Sequence, residues 1–292
     1  MPVLTVSKND TGLTARQFLL NNIPAAAPGY LNQLFKKGRV SRAGSILSAE
    51  TEVAPGDCIQ LPESARILDL LEQSSKALPG LDILFESREI LILNKPAGLA
   101  VHTGKGHEND NLTDRTRSYF SARGELFQLN PIQRLDLETS GPVLFGKGKK
   151  SCSELGKLFM KGEVTKMYLA LVMGHLPDHG TLSSEIPAKG KIKTASTSFR
   201  KIAGNEWASL LEVKLETGRQ HQIRRQFAEA GHPLYGDRRY RGPCPRELQR
   251  LFLHCHRLAF TDPFSNQPIV VEVALPTALL QFLEQHRLAV AI

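Results

Sequence analysis

Residues 132–141 read Ile-Gln-Arg-Leu-Asp-Leu-Glu-Thr-Ser-Gly and lead into an unbroken apolar run at residues 142–145. Such a run predicts a buried strand. The Thr-Ser-Gly sequence at 139–141 favours a turn immediately before that strand. We therefore expect Asp136, two residues after the cation Arg134, on a tight connection at the edge of a sheet. A loop on such a rigid base often holds residues that carry out chemistry.

The composition of the 292 residues indicates a folded, basic protein. This length allows one large domain, or a large domain with a small companion. An apolar fraction of 41% supports a sizeable core and argues against a disordered chain. The net charge of +8 and the isoelectric point of about 9.4 favour a polyanionic partner, although a merely basic enzyme fits as well.

The four cysteines are scattered and form no CxxC pair, so we expect neither a disulfide framework nor a structural zinc site. The run His254-Cys255-His256 contains metal-ligand types, but on a strand the two histidines point to one face and the cysteine to the other. No carboxylate stands at ligand spacing, so we expect no metal. The sequence shows no signal peptide and no transmembrane run, so we expect a cytoplasmic protein without membrane contact.

The distribution of helix, strand and turn signals divides the chain into three segments. Residues 1–62 contain two short helix candidates and short strands, with Thr14 as a candidate N-cap. Residues 63–80 are polar, show no strong period and end in Pro79-Gly80, so we interpret them as a linker. Residues 81–292 form the large domain.

The large domain has many strand patterns, separated helices and no strict βαβ alternation. This arrangement predicts an α+β fold on a mostly antiparallel sheet. The predicted strands span residues 90–93, 142–145, 165–173, 211–215, 258–260 and 269–273. The predicted helices span residues 149–161, residues 277–286, and a segment that opens at Gly218-Arg219 and ends at Gly231.

One stretch of the large domain nearly matches a phosphate-binding loop. Residues 141–148 read Gly-Pro-Val-Leu-Phe-Gly-Lys-Gly, but Gly148 stands where such a loop needs a Ser or Thr to bind magnesium. The middle of the stretch is a strand-like apolar run rather than a flexible loop. We therefore exclude nucleoside triphosphate binding here.

Four separated segments of the large domain carry a specific set of motifs. They are Leu93-Asn94-Lys95-Pro96-Ala97-Gly98-Leu99 with Val101-His102; Arg134-Leu135-Asp136 with Thr139-Ser140-Gly141; Lys166-Met167-Tyr168 with Gly174; and Gly218-Arg219-Gln220-His221-Gln222-Ile223-Arg224 with Gly231-His232-Pro233 and Gly236-Asp237. In sequence and in order they resemble the RluA-type pseudouridine synthases. Gln133 is a departure, because the family often has His there. The resemblance implies an enzyme that isomerises uridine in RNA.

The resemblance also implies roles for three residues. Asp136 is expected to attack uridine covalently, because such an attack splits the exchange of the glycosidic bond into two easier steps. Arg219 is expected to pair with Asp136, and Tyr168 to stack on the extruded uracil. Taken alone, the residues leave plainer readings open: an Asp that caps a turn, a surface arginine and a core tyrosine. We expect no cofactor, because the reaction involves neither net redox change nor hydrolysis.

Several basic residues are expected to contact RNA. Arg134 is expected to fill the gap that an extruded uridine leaves in its stack. In the small module, the segments Lys37-Gly38-Arg39-Val40 and Pro55-Gly56-Asp57 resemble the RNA-binding fold named after ribosomal protein S-four. For every candidate, the alternative is a solvated surface charge that makes no specific contact with RNA. The candidates besides Arg134 are Lys95, His102, Arg238, Arg239, Lys37 and Arg39.

These observations predict a monomeric RNA uridine isomerase. Large-subunit ribosomal RNA is the first expected substrate and tRNA the second, both by analogy with the appended small module. Two other functions stay open: a non-catalytic RNA-binding or RNA-remodelling protein that keeps the fold, and a covalent hydrolase that uses Asp136. The hydrolase would release base or phosphate, whereas an isomerase leaves the mass of the RNA unchanged.

Overall fold

The computed structural model describes residues 2–6, 12–23, 26–77, 81–104, 110–122, 125, 127–188 and 191–288. The chain divides into two compact units. The first unit comprises Met1–Leu81 and Asp114–Phe127, and the second comprises Asp82–Thr113 and Gln128–Ile292. Within the described ranges, every helix falls short of the length and apolar character that a bilayer span requires.

The first unit contains β1 (Val3–Thr5), α1 (Ala15–Asn22), α2 (Pro28–Lys36), β2 (Ser41–Arg42), β3 (Ser45–Ile46), β4 (Cys58–Gln60) and α3 (Ala65–Ala77). Its strands form an antiparallel sheet in the order β1-β4-β2-β3. The predicted N-cap of α1 is confirmed, because Thr14 and Gln17 each accept a hydrogen bond from the other's backbone amide. The likeness of this unit to the S-four fold stays a prediction.

The prediction of a linker is wrong for most of residues 63–80, because Ala65–Ala77 is helix α3. Ile67 is fully buried, and Leu70 and Leu71 pack against the core of the first unit. These positions follow the i, i+3, i+4 spacing of one helix face, which the surrounding polar residues obscure in the sequence. The predicted boundary residues Pro79-Gly80 lie outside the described residues.

The second unit contains β5 (Ile83–Glu86), β6 (Ile90–Lys95), α4 (Leu112–Ala122, which continues into the first unit from Asp114), β7 (Leu129–Pro131), β8 (Gly141–Lys147), α5 (Lys149–Lys161), β9 (Thr165–Met173), β10 (His179–Ala188), β11 (Lys191–Gly204), β12 (Ala208–Leu215), α6 (Gln222–Glu229), β13 (Leu253–Thr261), β14 (Pro268–Glu272) and α7 (Thr277–Gln285). One sheet has the order β10-β11-β12-β9-β13-β14 and the other β5-β6-β8-β7. All neighbouring strands in both sheets are antiparallel, which confirms the predicted α+β class.

The two sheets of the second unit meet at the end of the stretch that contains Asp136. Ser140 pairs with His254 through an isolated bridge, and the Cys255 amide donates to the Ser140 carbonyl at 2.8 Å. Gly141 begins β8 in the left-handed region, with φ +123°. The loop that precedes Gly141 is therefore attached to β13 as well as to its own sheet.

Helix α6 begins later than predicted. Residues 218–221 form a turn, and the helix starts at Gln222, after His221 in a left-handed conformation with φ +52°. The Gln222 side-chain oxygen accepts from the Arg219 amide at 3.0 Å and from the Thr217 hydroxyl at 2.7 Å. The Gln222 side chain thus caps the turn, because its oxygen satisfies the backbone amide of Arg219 ahead of the helix.

The long hairpin of β10 and β11 was not predicted. Its segments are rich in Ser, Thr and Lys and lack a clean alternation of apolar and polar residues, so the strand signal is weak. By contrast, the predicted helix 149–161 and the predicted strand 165–173 are confirmed at both ends. The predicted buried strand at residues 90–93 is also confirmed, and all four of its side chains are fully buried.

We predict that Gly141→Ala destabilises the fold by more than about 2 kcal/mol, because both the positive φ and the added carbon are unfavourable. A Cβ atom at Gly141 would overlap the carbonyl oxygen of Cys255. Urea unfolding followed by circular dichroism measures the change.

The matched control is Gly156→Ala in the interior of α5, where an added Cβ meets nothing within 4 Å. This change should stabilise the helix by roughly 0.5–1 kcal/mol. Equal stability of the Gly141→Ala variant and the unmodified protein would show that β8 does not need to approach β13 this closely.

Candidate active site

An open cleft of about 900 Å³ in the second unit brings the three predicted catalytic residues together. Asp136 comes from the loop between β7 and β8, Tyr168 from β9, and Arg219 from the turn before α6. The wall also contains His221 and Arg224, which belong to the motif at residues 218–224 but had no predicted role. Asp136 therefore lies on a short connection at the edge of a sheet, as predicted.

The ion pair of Asp136 is formed with Arg224 rather than with Arg219. The Arg224 Nη1 atom donates to Asp136 Oδ2 at 3.3 Å. Arg219 lines the same cleft, but its Nε atom is buried with no hydrogen-bond partner among the described residues. The predicted pairing of Arg219 with Asp136 is therefore wrong. The reason is the later start of α6, which places Arg219 in the turn and Arg224 on the helix.

Arg224 is fixed from behind by Asp237, whose side chain is fully buried. Its Nε and Nη2 atoms donate to the two oxygens of Asp237 at 2.7 and 2.8 Å. Burial alone would lower the pKa of the Arg224 guanidinium, but Asp237 and then Asp136 raise it above its ordinary value. The guanidinium is therefore permanently charged, and this two-bond geometry fixes where it meets Asp136.

His221 approaches the other oxygen of Asp136. Its Nε2 atom lies 3.8 Å from Asp136 Oδ1, and its Nδ1 atom lies 3.1 Å from the Tyr240 hydroxyl. Burial lowers the pKa of His221, and the charge of Asp136 opposes this effect. The imidazole is therefore neutral near pH 7, which leaves Arg224 as the cation in contact with Asp136.

Tyr168 forms part of the cleft wall and is 6% exposed. It lies between Val213 of β12 and Cys255 of β13 in the six-stranded sheet. Burial, with the nearby Cys255 and Asp136, raises the pKa of its phenol well above the usual value. The hydroxyl is therefore a neutral hydrogen-bond donor, and the ring is held rigidly by the neighbouring strands.

The prediction that Lys95 contacts RNA is wrong, because its side chain is fully buried. Its Nζ atom donates to the carbonyls of Pro96 and Leu99 at 2.8 Å and of Leu137 at 3.0 Å. Burial and the repulsion of Arg250 lower its pKa to about 7, while Asp136 raises it. Lys95 thus holds the residue next to Asp136 in place, which is a role that a solvated lysine cannot have.

Arg250 supports the same loop from the side of β13. Its Nη2 atom donates to the Glu138 carbonyl at 3.0 Å, to Ser140 Oγ at 2.9 Å and to the Leu253 carbonyl at 3.2 Å. His254 Nδ1 lies 2.8 Å from the same Ser140 oxygen, and its Nε2 atom donates to a carbonyl. The sequence offered no signal for this role of Arg250, because the two loop residues that it binds, Glu138 and Ser140, lie 112 and 110 residues away in the chain.

The other predicted RNA contacts fall in different places. The Arg134 Nη1 atom lies 3.4 Å from His102 Nε2, and both residues line the cleft near Asp136. Arg239 also lines the cleft, whereas Arg238 is exposed outside its wall. Lys37 and Arg39, which belong to the first unit, are exposed at the end of α2 and just after it.

We predict that Arg224→Met destabilises the protein by about 3–5 kcal/mol, because it leaves the buried Asp237 carboxylate without its cation. Chemical denaturation near pH 7 measures the effect. The neighbour Arg225 provides the control, since it pairs at 3.7 Å with the exposed Glu229. Arg225→Met should cost about 1 kcal/mol or less. Similar losses for the two variants would contradict the importance of the Asp237–Arg224 contact.

Comparison with known proteins agrees with this geometry. Residues 89–229 match the sequence profile of the family described as RNA pseudouridylate synthase. The uncharacterized RNA pseudouridine synthase YhcT of Bacillus subtilis is 35% identical over 226 residues, which cover 72% of this chain and 74% of that protein. The ribosomal large subunit pseudouridine synthase D of Nitrosomonas europaea is 30% identical over 302 residues, which cover 97% of this chain and 87% of that protein.

A solved structure shows the same fold. Human RNA Pseudouridylate Synthase Domain Containing 4 has a TM-score of 0.58 and 22% identity, and the match covers 70% of this chain and 92% of that chain. From the sequence relatives and the family profile, this chain belongs to the RNA pseudouridylate synthase family and is an isomerase that acts on RNA.

Proposed function

We propose that this enzyme converts specific uridines of large-subunit ribosomal RNA to pseudouridine and that Asp136 attacks the nucleotide covalently. The observation that carries the proposal is the Asp136 carboxylate, held at 3.3 Å by the Arg224 guanidinium in a cleft of about 900 Å³. Asp136 is 27% exposed, so its carboxylate is both oriented by protein and accessible from the cleft. A cleft of this size accommodates a nucleotide.

The reaction exchanges one glycosidic bond for another. The bond between N1 of uracil and C1′ of ribose breaks, and a bond between C5 and C1′ forms. The hydrogen on C5 leaves as a proton and N1 takes up a proton, so the atoms of the RNA balance without any other reactant. A carboxylate that binds the nucleotide covalently between these steps divides the exchange into two smaller barriers.

The residues around Asp136 supply orientation and a surface for the base. Arg224 binds one carboxylate oxygen, and His221 lies 3.8 Å from the other. The Tyr168 ring is rigid and neutral, so the flipped uracil can stack on it while it turns. Arg134 and His102 lie together in the cleft wall, where Arg134 fills the space that the extruded uridine leaves.

Two observations support ribosomal RNA as the substrate. The relative from Nitrosomonas europaea is named as a ribosomal large subunit enzyme and aligns with 97% of this chain. The net charge of +8 favours association with a polyanion. The exposed Lys37 and Arg39 of the first unit are assigned to further contacts with the RNA backbone.

We predict that the enzyme releases tritium from large-subunit ribosomal RNA labelled at uracil C5, and that Asp136→Asn lowers the rate on the order of 10⁴-fold. The control is Glu206→Gln, which removes the charge of an exposed carboxylate between β11 and β12, outside the cleft wall. Glu206→Gln should stay within about threefold of the unmodified enzyme, because its side chain lies outside the site of the reaction.

Labelled tRNA serves as the comparison substrate in this assay. Tritium release from tRNA but not from ribosomal RNA would contradict ribosomal RNA as the substrate. It would still show that the enzyme isomerises uridine. Equal release by the unmodified enzyme and by Asp136→Asn would contradict the role of Asp136. Release of free uracil would indicate a hydrolase instead.

We predict that Arg134→Ala slows modification of folded RNA about tenfold more than modification of a short flexible strand. Only the folded substrate must extrude its uridine from a stack, at a cost of a few kcal/mol. Single-turnover rates on the two substrates measure the difference. Arg88→Ala is the control, because Arg88 is 93% exposed and lies outside the cleft. Equal slowing on both substrates would contradict the role assigned to Arg134.

A further inference from the structure

Lys166 is a cation in the cleft wall that neither the ion pair of Asp136 nor the stacking surface uses. It precedes Tyr168 by two residues on β9, so the two side chains point to the same face about 7 Å apart. Its Nζ atom lies 5.5 Å from the centre of the Phe159 ring. A Cβ added to Gly218 would lie 3.8 Å from the same atom, which places the ammonium beside the turn that carries Arg219.

Lys166 forms no ion pair with Glu216, the carboxylate that attracts it electrostatically. Glu216 attracts Lys166 from beyond ion-pair distance, but its oxygen pairs with Lys214 at 2.9 Å and accepts from the Ser198 hydroxyl at 3.3 Å. In the described part of the chain, no hydrogen bond or ion pair satisfies the Lys166 Nζ atom. Burial lowers the pKa of Lys166, so its positive charge is held at a cost.

Arg219 has the same deficit on the adjoining turn. Its backbone amide is bound by Gln222, but its Nε atom is buried without a partner among the described residues. Lys166 and Arg219 are thus two partly buried cations on adjoining segments of one cleft wall, and an anion bound there would supply the partner that the Lys166 ammonium and the Arg219 Nε atom lack among the described residues. The guanidinium presents parallel N–H donors, which match the oxygens of a phosphate, and the ammonium adds a point charge.

We propose that Lys166 and Arg219 bind a backbone phosphate of the nucleotide whose uracil enters the cleft. This inference rests on the proposed function and adds a phosphate subsite to it. Lys166 lies two residues from Tyr168 on the same face of β9, so a nucleotide whose uracil stacks on Tyr168 can place its backbone phosphate on the side of Lys166. The subsite therefore aligns the uridine with Asp136 without reading its sequence context.

The test compares ligands that differ only in the phosphate. Uridine, uridine 5′-monophosphate and uridine 3′-monophosphate are titrated into the full-length enzyme, and binding is followed by NMR. One of the monophosphates should bind about tenfold more tightly than uridine. Lys166→Met should remove this gain and leave the affinity for uridine unchanged, whereas Lys166→Arg should retain most of it. The same pattern is expected for Arg219→Gln.

Lys157→Met is the matched control, because Lys157 lies on the exposed side of α5 and pairs with Glu154 at 2.8 Å. This variant should keep the full phosphate gain. Equal affinity of the unmodified enzyme for uridine and for both monophosphates, or no binding of either monophosphate, would overturn the proposal. So would a loss of uridine affinity in Lys166→Met as large as the loss for the monophosphate, since that would assign Lys166 to the base or to the fold.

The phosphate titration and the tritium assay can fail independently of each other. Tritium release from labelled RNA reports isomerisation whether or not the subsite exists. Tritium release without a phosphate gain would refute the subsite alone. A phosphate gain without tritium release from either RNA would leave the subsite in place and refute the proposed activity.

Discussion

The guanidinium of Arg224 is the contact on which the arrangement of the cleft depends. It gives two hydrogen bonds to the fully buried Asp237 and one to the partly exposed Asp136. Asp237 also accepts from the Tyr240 amide at 3.1 Å, so its carboxylate is anchored independently. Removing a charge from such a buried pair costs several kcal/mol. The same contact that stabilises α6 against the following turn therefore also sets the position of the acid.

The loop of Asp136 is held from two sides by basic side chains, the fully buried Lys95 and the partly buried Arg250. Lys95 binds the Leu137 carbonyl, and Arg250 binds the Glu138 carbonyl and Ser140. Burying cations is costly, and the carbonyl oxygens offset that cost only with the loop in this conformation. The short stretch after Asp136 is thus rigid although it contains turn-forming residues, and a rigid acid needs no rearrangement when substrate arrives.

Much of this architecture could be predicted from the sequence, because it depends on local patterns. The buried strand at residues 90–93 and the helix at 149–161 follow from apolar periodicity, and the motif around Asp136 identified the acid. The pairing of Asp136 with Arg224 rather than with Arg219 could not be predicted, because it depends on how Gln222 caps the turn. The hydrogen bond from Lys95 to the loop of Asp136 likewise left no local signal, because it reaches a carbonyl 42 residues away.

In the proposed reaction the cleft isomerises uridine with no net release, because the proton lost from C5 is balanced by the proton that N1 takes up. The most direct measurement is the nucleoside balance of ribosomal RNA after incubation with the enzyme, with complete digestion and chromatographic separation of uridine, pseudouridine and free uracil. Each uridine lost should appear as one pseudouridine, with no free uracil. Loss of uridine accompanied by free uracil, or binding of the RNA with no change in its nucleosides, would contradict it.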